Sequence, residues 1–300
     1  MEVIRTHQLS KAFPKTLAVN KVSLHVKAGE IYGFVGLNGA GKTTTIRMLL
    51  GLIRPTGGEA YLFGEKVGHD HNIWKDVGYL VETPCAYPNL SVYENLVISY
   101  RLRNLPDINS IDEVIENLKL THYRNIKSKH LSTGNQQRLG LAKALIHKPK
   151  LLLLDEPING LDPSGIVEIR NLLKNLASMG ATVFLSSHIL TELSRLADKI
   201  GIIHEGKLVR ELLHDELEEQ LLRKLIIDTP DNSKAIPVLK SAGHNPSENH
   251  DGQIEIENEE ALAAPEQISS LLVNHKLPPK QIFLYEEDLE HYFLRIINEE

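Results

Sequence analysis

The chain is short of the features that would staple or anchor it. It has one cysteine, Cys85, so no disulfide can form within a chain, which fits a reducing compartment. No uninterrupted apolar run approaches the ~18 residues a spanning helix needs. The start, Met1-Glu2-Val3-Ile4-Arg5, lacks the basic-then-apolar pattern of a secretory signal. Repeats and low-complexity segments are missing too. If the protein works at a membrane, another chain must supply the spanning part.

What remains is an ordinary globular composition: 42% apolar and 24% charged over 300 residues, enough for one large domain and a small one. The net charge of −6 conceals an asymmetry. Residues 1–210 hold 26 basic and 19 acidic side chains, or +7, and residues 211–300 hold 7 and 20, or −13. This change of sign predicts a boundary near 210, giving domains 1–210 and 211–300. The acidic stretch reads as a solvated surface and argues against nucleic acid as a partner.

Glu30 to Val35 reads as a short buried strand, followed by a glycine-rich loop and a helix over Lys42 to Leu52. Leu151 to Leu154 and Thr182 to Leu185 read as further buried strands. Between them Gly165 to Met179 has helical spacing, with Ile166, Ile169, Leu172, Leu173 and Leu176 on one stripe. Strands alternating with helices imply a parallel sheet covered on both faces. Val22, Leu24 and Val26 alternate with polar residues, predicting a half-buried antiparallel strand. Residues 91–147 look mostly helical, with Ser91 and Glu94 as a capping box, so about 84–147 is an insertion into the sheet domain. Beyond 222, strands at Leu225–Ile227, Ile254–Ile256 and Gln281–Tyr285 and a helix over Ala261 to His275 predict a small α+β domain. Its last helix carries Leu289, Tyr292, Phe293, Ile296 and Ile297 on one face.

Three motifs carry chemistry. The first is Gly36-Leu37-Asn38-Gly39-Ala40-Gly41-Lys42-Thr43-Thr44. Its glycines let successive N–H groups turn toward phosphate oxygens, and the following helix adds its positive end. Lys42 sets an ammonium against the β- and γ-phosphates, Thr43 offers a hydroxyl to Mg²⁺ and Thr44 another donor to phosphate. The second is Leu131-Ser132-Thr133-Gly134-Asn135-Gln136-Gln137-Arg138. The third is the leucine strand ending in Asp155 and Glu156. Asp155 is a candidate Mg²⁺ ligand at the carboxyl edge of the sheet, and Glu156 a candidate to polarise the attacking water. His188, after Ser186-Ser187, is placed at the same edge and is a candidate γ-phosphate sensor.

Gly36–Thr44, Leu131–Arg138, Leu151–Glu156, Gly160-Leu161-Asp162 and His188 stand in an order that resembles the nucleotide-binding subunits of ABC transporters. The likeness covers residues 1 to about 210. It implies an ABC-type P-loop ATPase domain: a parallel-sheet core, an antiparallel β subdomain and a helical insertion. It also implies a head-to-tail homodimer with two ATP sites, each pairing one subunit's phosphate loop with the other's Ser132, Gly134 and Asn135. By the same resemblance, ATP is held by residues 36–44 and Asp162, Phe13 stacks on adenine, and Mg²⁺ meets Thr43, Asp155 and the residue at position 82. The partner is an integral permease, with the ATPase peripheral on the cytoplasmic face of the membrane. Glu82-Thr83-Pro84, Tyr87-Pro88-Asn89-Leu90, Asn159 to Ile166 and the acidic tail resemble exporters for bacitracin resistance and lantibiotic immunity.

Two residues depart from the general pattern. Glu82 stands where the family carries glutamine, and a carboxylate there ligates Mg²⁺ more strongly while adding negative charge beside phosphate. Thr133 and Asn135 replace glycine and glutamine in the second loop, which keeps Ser132 and Gly134. The competing reading is an ABC-type ATPase not coupled to transport. A translation factor of this class would carry two phosphate loops, and a repair protein a long coiled coil. Neither is found in the sequence.

Overall fold

The structure, a computed structural model, describes residues 1–68, 72–82 and 85–298. Thr83 and Pro84 of the exporter-like pattern lie outside the described residues, as does the starting point of the expected insertion at 84. The chain forms two compact units, Met1–Glu216 and the stretch from Leu217 onward. This division lies beyond the change of charge sign because a strand over Lys207–Leu213 completes the first unit's main sheet.

The first unit opens with β1 (Glu2–Phe13), β2 (Thr16–Val22) and β3 (His25–Lys27), then β4 (Ile31–Val35), α1 (Lys42–Leu49), β5 (Gly57–Leu62), β6 (Glu65–Lys66) and β7 (Val77–Leu80). Helices α2 (Val92–Leu102), α3 (Asn109–Asn117) and α4 (Thr133–Leu145) follow. After them come β8 (Leu151–Asp155), α5 (Pro163–Ser178), β9 (Thr182–Ser187), α6 (Leu190–Ser194), β10 (Lys199–His204) and β11 (Lys207–Leu213). One sheet is antiparallel, β2-β1-β5-β6 with β3 on β1. The other runs β11-β10-β4-β9-β8-β7 and is parallel except for edge strand β11. All five residues of β4 and of β8 are buried, as expected of parallel strands covered on both faces.

Val22, Leu24 and Val26 are all fully buried, but they do not share one strand. Thr6 interrupts it: its hydroxyl donates to Val22 O (3.0 Å) and accepts from Leu24 N (2.8 Å), splitting the segment into β2 and β3. Helix α1 stops at Leu49, three residues before the expected end. The stripe on α5 has its deepest residues at Ile169 and Leu173. Within the insertion, α2 begins on the expected capping box, Ser91 accepting from Glu94 N and Glu94 from Ser91 N. Buried Asn95 then ties down the preceding turn, accepting from Tyr87 N (2.8 Å) and donating to the carbonyls of Tyr87, Leu90 and Ser91.

After α7 (His214–Glu219), the second unit contains β12 (Arg223–Asp228), α8 (Asn232–Ser241), β13 (Ser247–Glu248), β14 (Ile254–Ile256), α9 (Glu259–Ala263), α10 (Pro265–Asn274), β15 (Gln281–Glu286) and α11 (Leu289–Asn298). The sheet order is β13-β14-β12-β15. Leu225, Ile227, Leu239, Ile254, Ile256, Ile268 and Leu272 belong to its core. The helix expected over 261–275 is broken, because Pro265 has no N–H and pushes Ala264 out of helical conformation (φ −140°, ψ 62°). On α11, Tyr292, Phe293, Ile296 and Ile297 are buried as their spacing requires.

In the first unit's core Phe184 of β9 stacks on Tyr32 of β4 at 5.3 Å, and Tyr32 Oη donates to Glu211 on β11 (2.8 Å). Burial, with the Glu211 charge, holds that phenol well above the usual tyrosine range. Phe184→Ala is expected to destabilise the first unit by roughly 3–5 kcal/mol, read as a shifted urea midpoint. An unchanged midpoint would mean that this stack is not part of the core that holds the sheet.

Candidate functional site

The loop after β4 is shaped by close approach as much as by glycine freedom. A Cβ at Gly36 would lie 2.5 Å from Ile203 O. Gly41 caps α1 at φ 110°, and a Cβ there would lie 2.4 Å from Ala18 O. Gly39 also has positive φ, 86°, but its missing Cβ would point into open space. Leu37, Asn38 and Gly39 are exposed at the crest, whereas Ala40 is buried. Lys42 is only 6% exposed, and its ammonium donates to Gly36 O (2.7 Å) and Leu37 O (3.2 Å), beneath the loop. Thr44, one residue past Thr43 on the first turn of α1, is half-buried.

Asp155 joins this loop to the strand ends. Its Oδ2 accepts from Thr43 Oγ1 at 2.7 Å and its Oδ1 from Ser186 Oγ at 2.6 Å. The Ser186 oxygen in turn accepts from Glu156 N at 3.1 Å, and Gln137 Nε2 donates to Glu156 O at 3.0 Å. These two bonds hold Glu156 at φ 49°, a conformation uncommon outside glycine. Its carboxylate lies 3.5 Å from Lys42 Nζ and 3.0 Å from His188 Nδ1. Lys42, Thr43, Asp155, Glu156 and His188 therefore form one connected cluster at the carboxyl edge of β4, β8 and β9. Adjacent N–H donors, a sheltered cation and a carboxylate beside a hydroxyl suit a polyphosphate with a hard cation.

The other sequence-selected residues are placed elsewhere. Ser132 caps α4, its hydroxyl accepting from Asn135 N (3.3 Å). A Cβ at Gly134 would sit 3.2 Å from Gly160 O, so this loop packs on the turn before Asp162. Asp162 caps α5, accepting from Gly165 N and Ser164 Oγ, both at 2.9 Å, and these bonds hold its carboxyl below the usual range. Among the described residues no hydrogen bond joins the Ser132–Asn135 loop to the phosphate loop of the same chain. Phe13 is half-exposed rather than in the core, with Lys11 Nζ 5.2 Å from its ring centre. Glu82, at φ 60°, does not reach Thr43 or Asp155: its carboxylate pairs with Arg47 on α1.

Ser186, Gln137 and Arg47 hold or meet site residues without having been singled out from the sequence. Ser186 ends a buried strand and lies opposite Asp155 in the β8–β9 register, a relation that only the pairing reveals. Gln137 falls inside the Leu131–Arg138 motif without a role of its own there, and Arg47 sits on a helix facing chain that is remote in sequence, so spacing carries no signal for it.

Residues 19–159 match the family model described as ABC transporter. A relative in that class is 41% identical over 98% of the chain, and with the fold and cluster above the chain belongs to the ATP-binding, ATP-hydrolysing subunits of ABC transporters. Among particular relatives, the bacitracin transport ATP-binding protein BcrA of Bacillus licheniformis is 41% identical over 299 residues, covering 98% of this chain and 97% of that one. The lantibiotic transport ATP-binding protein SrtF of Streptococcus pyogenes is 36% identical over 227 residues, covering 75% of this chain and 98% of that one. A solved dimeric ATP-binding cassette in a post-hydrolysis state, bound to ADP and Pi, superimposes with a TM-score of 0.65 at 26% identity, covering 70% of this chain and 98% of that one. No helix among the described residues is long and apolar enough to cross a membrane.

The glycines provide a graded test of the loop. Gly41→Ala combines a positive φ with a backbone clash and is expected to abolish nucleotide binding and lower the melting temperature. Gly39→Ala meets only the conformational penalty, roughly 1–2 kcal/mol, and should keep measurable binding. Equal losses in a titration with a fluorescent nucleotide would contradict this reading of the loop.

Proposed function

We propose that this chain drives a separate membrane permease that exports a peptide antibiotic or a similar amphipathic compound. Its full-length relative of Bacillus licheniformis is a bacitracin transport ATP-binding protein, and its relative of Streptococcus pyogenes a lantibiotic transport ATP-binding protein. The absence of a spanning helix among the described residues fits a subunit held at the inner face of the membrane through that permease. The observation that carries the chemistry is the Lys42–Glu156–His188 cluster beside the Thr43–Asp155 pair.

In this account the N–H groups of residues 36–44 grip the phosphates of ATP, and Lys42 exchanges its two carbonyl partners for β- and γ-phosphate oxygens. Phe13 stacks on the adenine. Thr43 Oγ1 and Asp155 Oδ2 are a pair of hard oxygen donors that fits Mg²⁺. Among the described residues no group of three or more acidic, histidine or cysteine side chains is placed to hold a metal ion by itself. When bound, Mg²⁺ neutralises phosphate charge. Glu156 accepts a proton from the water that attacks the γ-phosphorus, and the bond to the bridging β–γ oxygen breaks. His188, held by the Glu156 carboxylate, contacts the γ-phosphate and senses its loss. Ser132, Gly134 and Asn135 of a second copy close over the same phosphate, with Asp162 beside them. Two ATP molecules thus become part of a homodimer interface, and cleavage removes the contacts that hold it shut. Glu82, released from Arg47, would be a further carboxylate ligand for Mg²⁺ and a polar contact for the attacking water.

Glu156→Gln is expected to bind Mg-ATP, lose at least ~10²-fold in turnover and stay dimeric with Mg-ATP at dilutions where the nucleotide-free form dissociates; normal hydrolysis would remove Glu156 from this role. Glu82→Gln should lower ATPase activity and shift its Mg²⁺ dependence. Preserved activity with an unchanged Mg²⁺ requirement would sink the assignment of Glu82. Co-purification with a polytopic membrane protein separates a transport subunit from an uncoupled ATPase.

A further inference from the structure

The second unit's sheet has two unequal edges. One is closed by β13, a two-residue strand of Ser247 and Glu248. The other is β15, six residues of sequence Gln-Ile-Phe-Leu-Tyr-Glu, paired among the described residues only to β12. Natural sheets blunt such an edge with lysine, proline, a bulge or a covering element. Inside β15 neither lysine nor proline occurs. Phe283 and Leu284, which point to opposite faces, are 46% and 51% exposed, so the edge is open on both sides.

The backbone of β15 is equally open. Glu287 N–H bonds Leu222 O (2.8 Å), and the β12 register pairs Tyr285 with Lys224 and Phe283 with Ile226. By antiparallel alternation these residues turn their N–H and C=O toward β12, while Ile282, Leu284 and Glu286 turn theirs outward. No backbone bond to another described residue takes up those outward groups.

We infer that β15 is a pairing edge through which the second units of two copies of this chain join into one antiparallel sheet, independently of nucleotide. The strand is suited to its own reverse. A two-fold axis at Phe283 puts Ile282 opposite Leu284 of the partner subunit and Lys280 opposite Glu286 of the partner subunit. An axis at Leu284 puts Phe283 opposite Tyr285 of the partner subunit and Lys280 opposite Asp288 of the partner subunit. In either register apolar residues meet at the centre, and at each end Lys280 and the opposing carboxylate would exchange or share the exposed ion pairs they now make with Asp228, Arg223 or His291. The contact would keep two ATPase units together after hydrolysis had separated them.

The experiment is sedimentation velocity on the full chain without nucleotide, across a micromolar concentration series at ~0.15 M salt, where charge between the acidic units is screened beyond ~8 Å. A reversible dimer is expected. Leu284→Lys keeps every bond to β12, and Phe283→Lys disrupts the opposite face; each should weaken dimerisation at least about tenfold. Far-UV circular dichroism and thermal melting check that both fold. The Glu156→Gln form of Leu284→Lys should still dimerise with Mg-ATP, which separates this edge from the nucleotide interface. A wild-type chain that stays monomeric without nucleotide, or folded variants that dimerise like wild type, would overturn the inference.

Discussion

Asp155 is the tie on which the site depends. One carboxylate oxygen holds Thr43 at the start of α1 and the other holds Ser186 at the end of β9. Ser186 passes the constraint to Glu156 N, and the Glu156 carboxylate reaches both Lys42 and His188. Buried carboxylates are costly unless hydrogen-bonded, and Asp155, 4% exposed, is bonded on both oxygens. The loop after β4, the candidate metal ligand, Glu156 and His188 are thereby fixed to three parallel strand ends. Their relative positions follow from the sheet rather than from flexible loops.

That arrangement explains which parts of the protein could be read in advance. The buried strands announced themselves as short apolar runs, and the loop as glycines between a strand and a helix. Asp155 and Glu156 could be placed because they end the leucine strand. Ser186 could not, since its value lies in facing Asp155 across the sheet. Asp162 shows the opposite case: a residue selected through family likeness has a local duty as the cap of α5, on the turn that supports the Ser132–Asn135 loop. Two boundaries were misplaced for local reasons. Thr6 interrupts the strand between Val22 and Val26, and Pro265 breaks the helix after Ala263.

Glu82 and Arg47 illustrate how one substitution draws in a neighbour. The carboxylate of Glu82 is paired with a guanidinium on α1, the helix that begins at Lys42. Half-exposed pairs of this kind contribute little to stability. The pair's importance lies in where it leaves Glu82, turned away from Thr43 and Asp155 yet joined to the helix that bears the phosphate loop.

The central claim, that ATP joins the phosphate loop of one subunit to the Ser132 loop of another, is tested most directly by crosslinking. With Cys85→Ser as background, cysteines at Asn38 and Thr133, both exposed on their loops, are treated with a short bis-maleimide in the Glu156→Gln variant. The account expects a covalent dimer that forms only with Mg-ATP and disappears on adding Lys42→Ala. A crosslink indifferent to nucleotide, or none at saturating Mg-ATP, would contradict it.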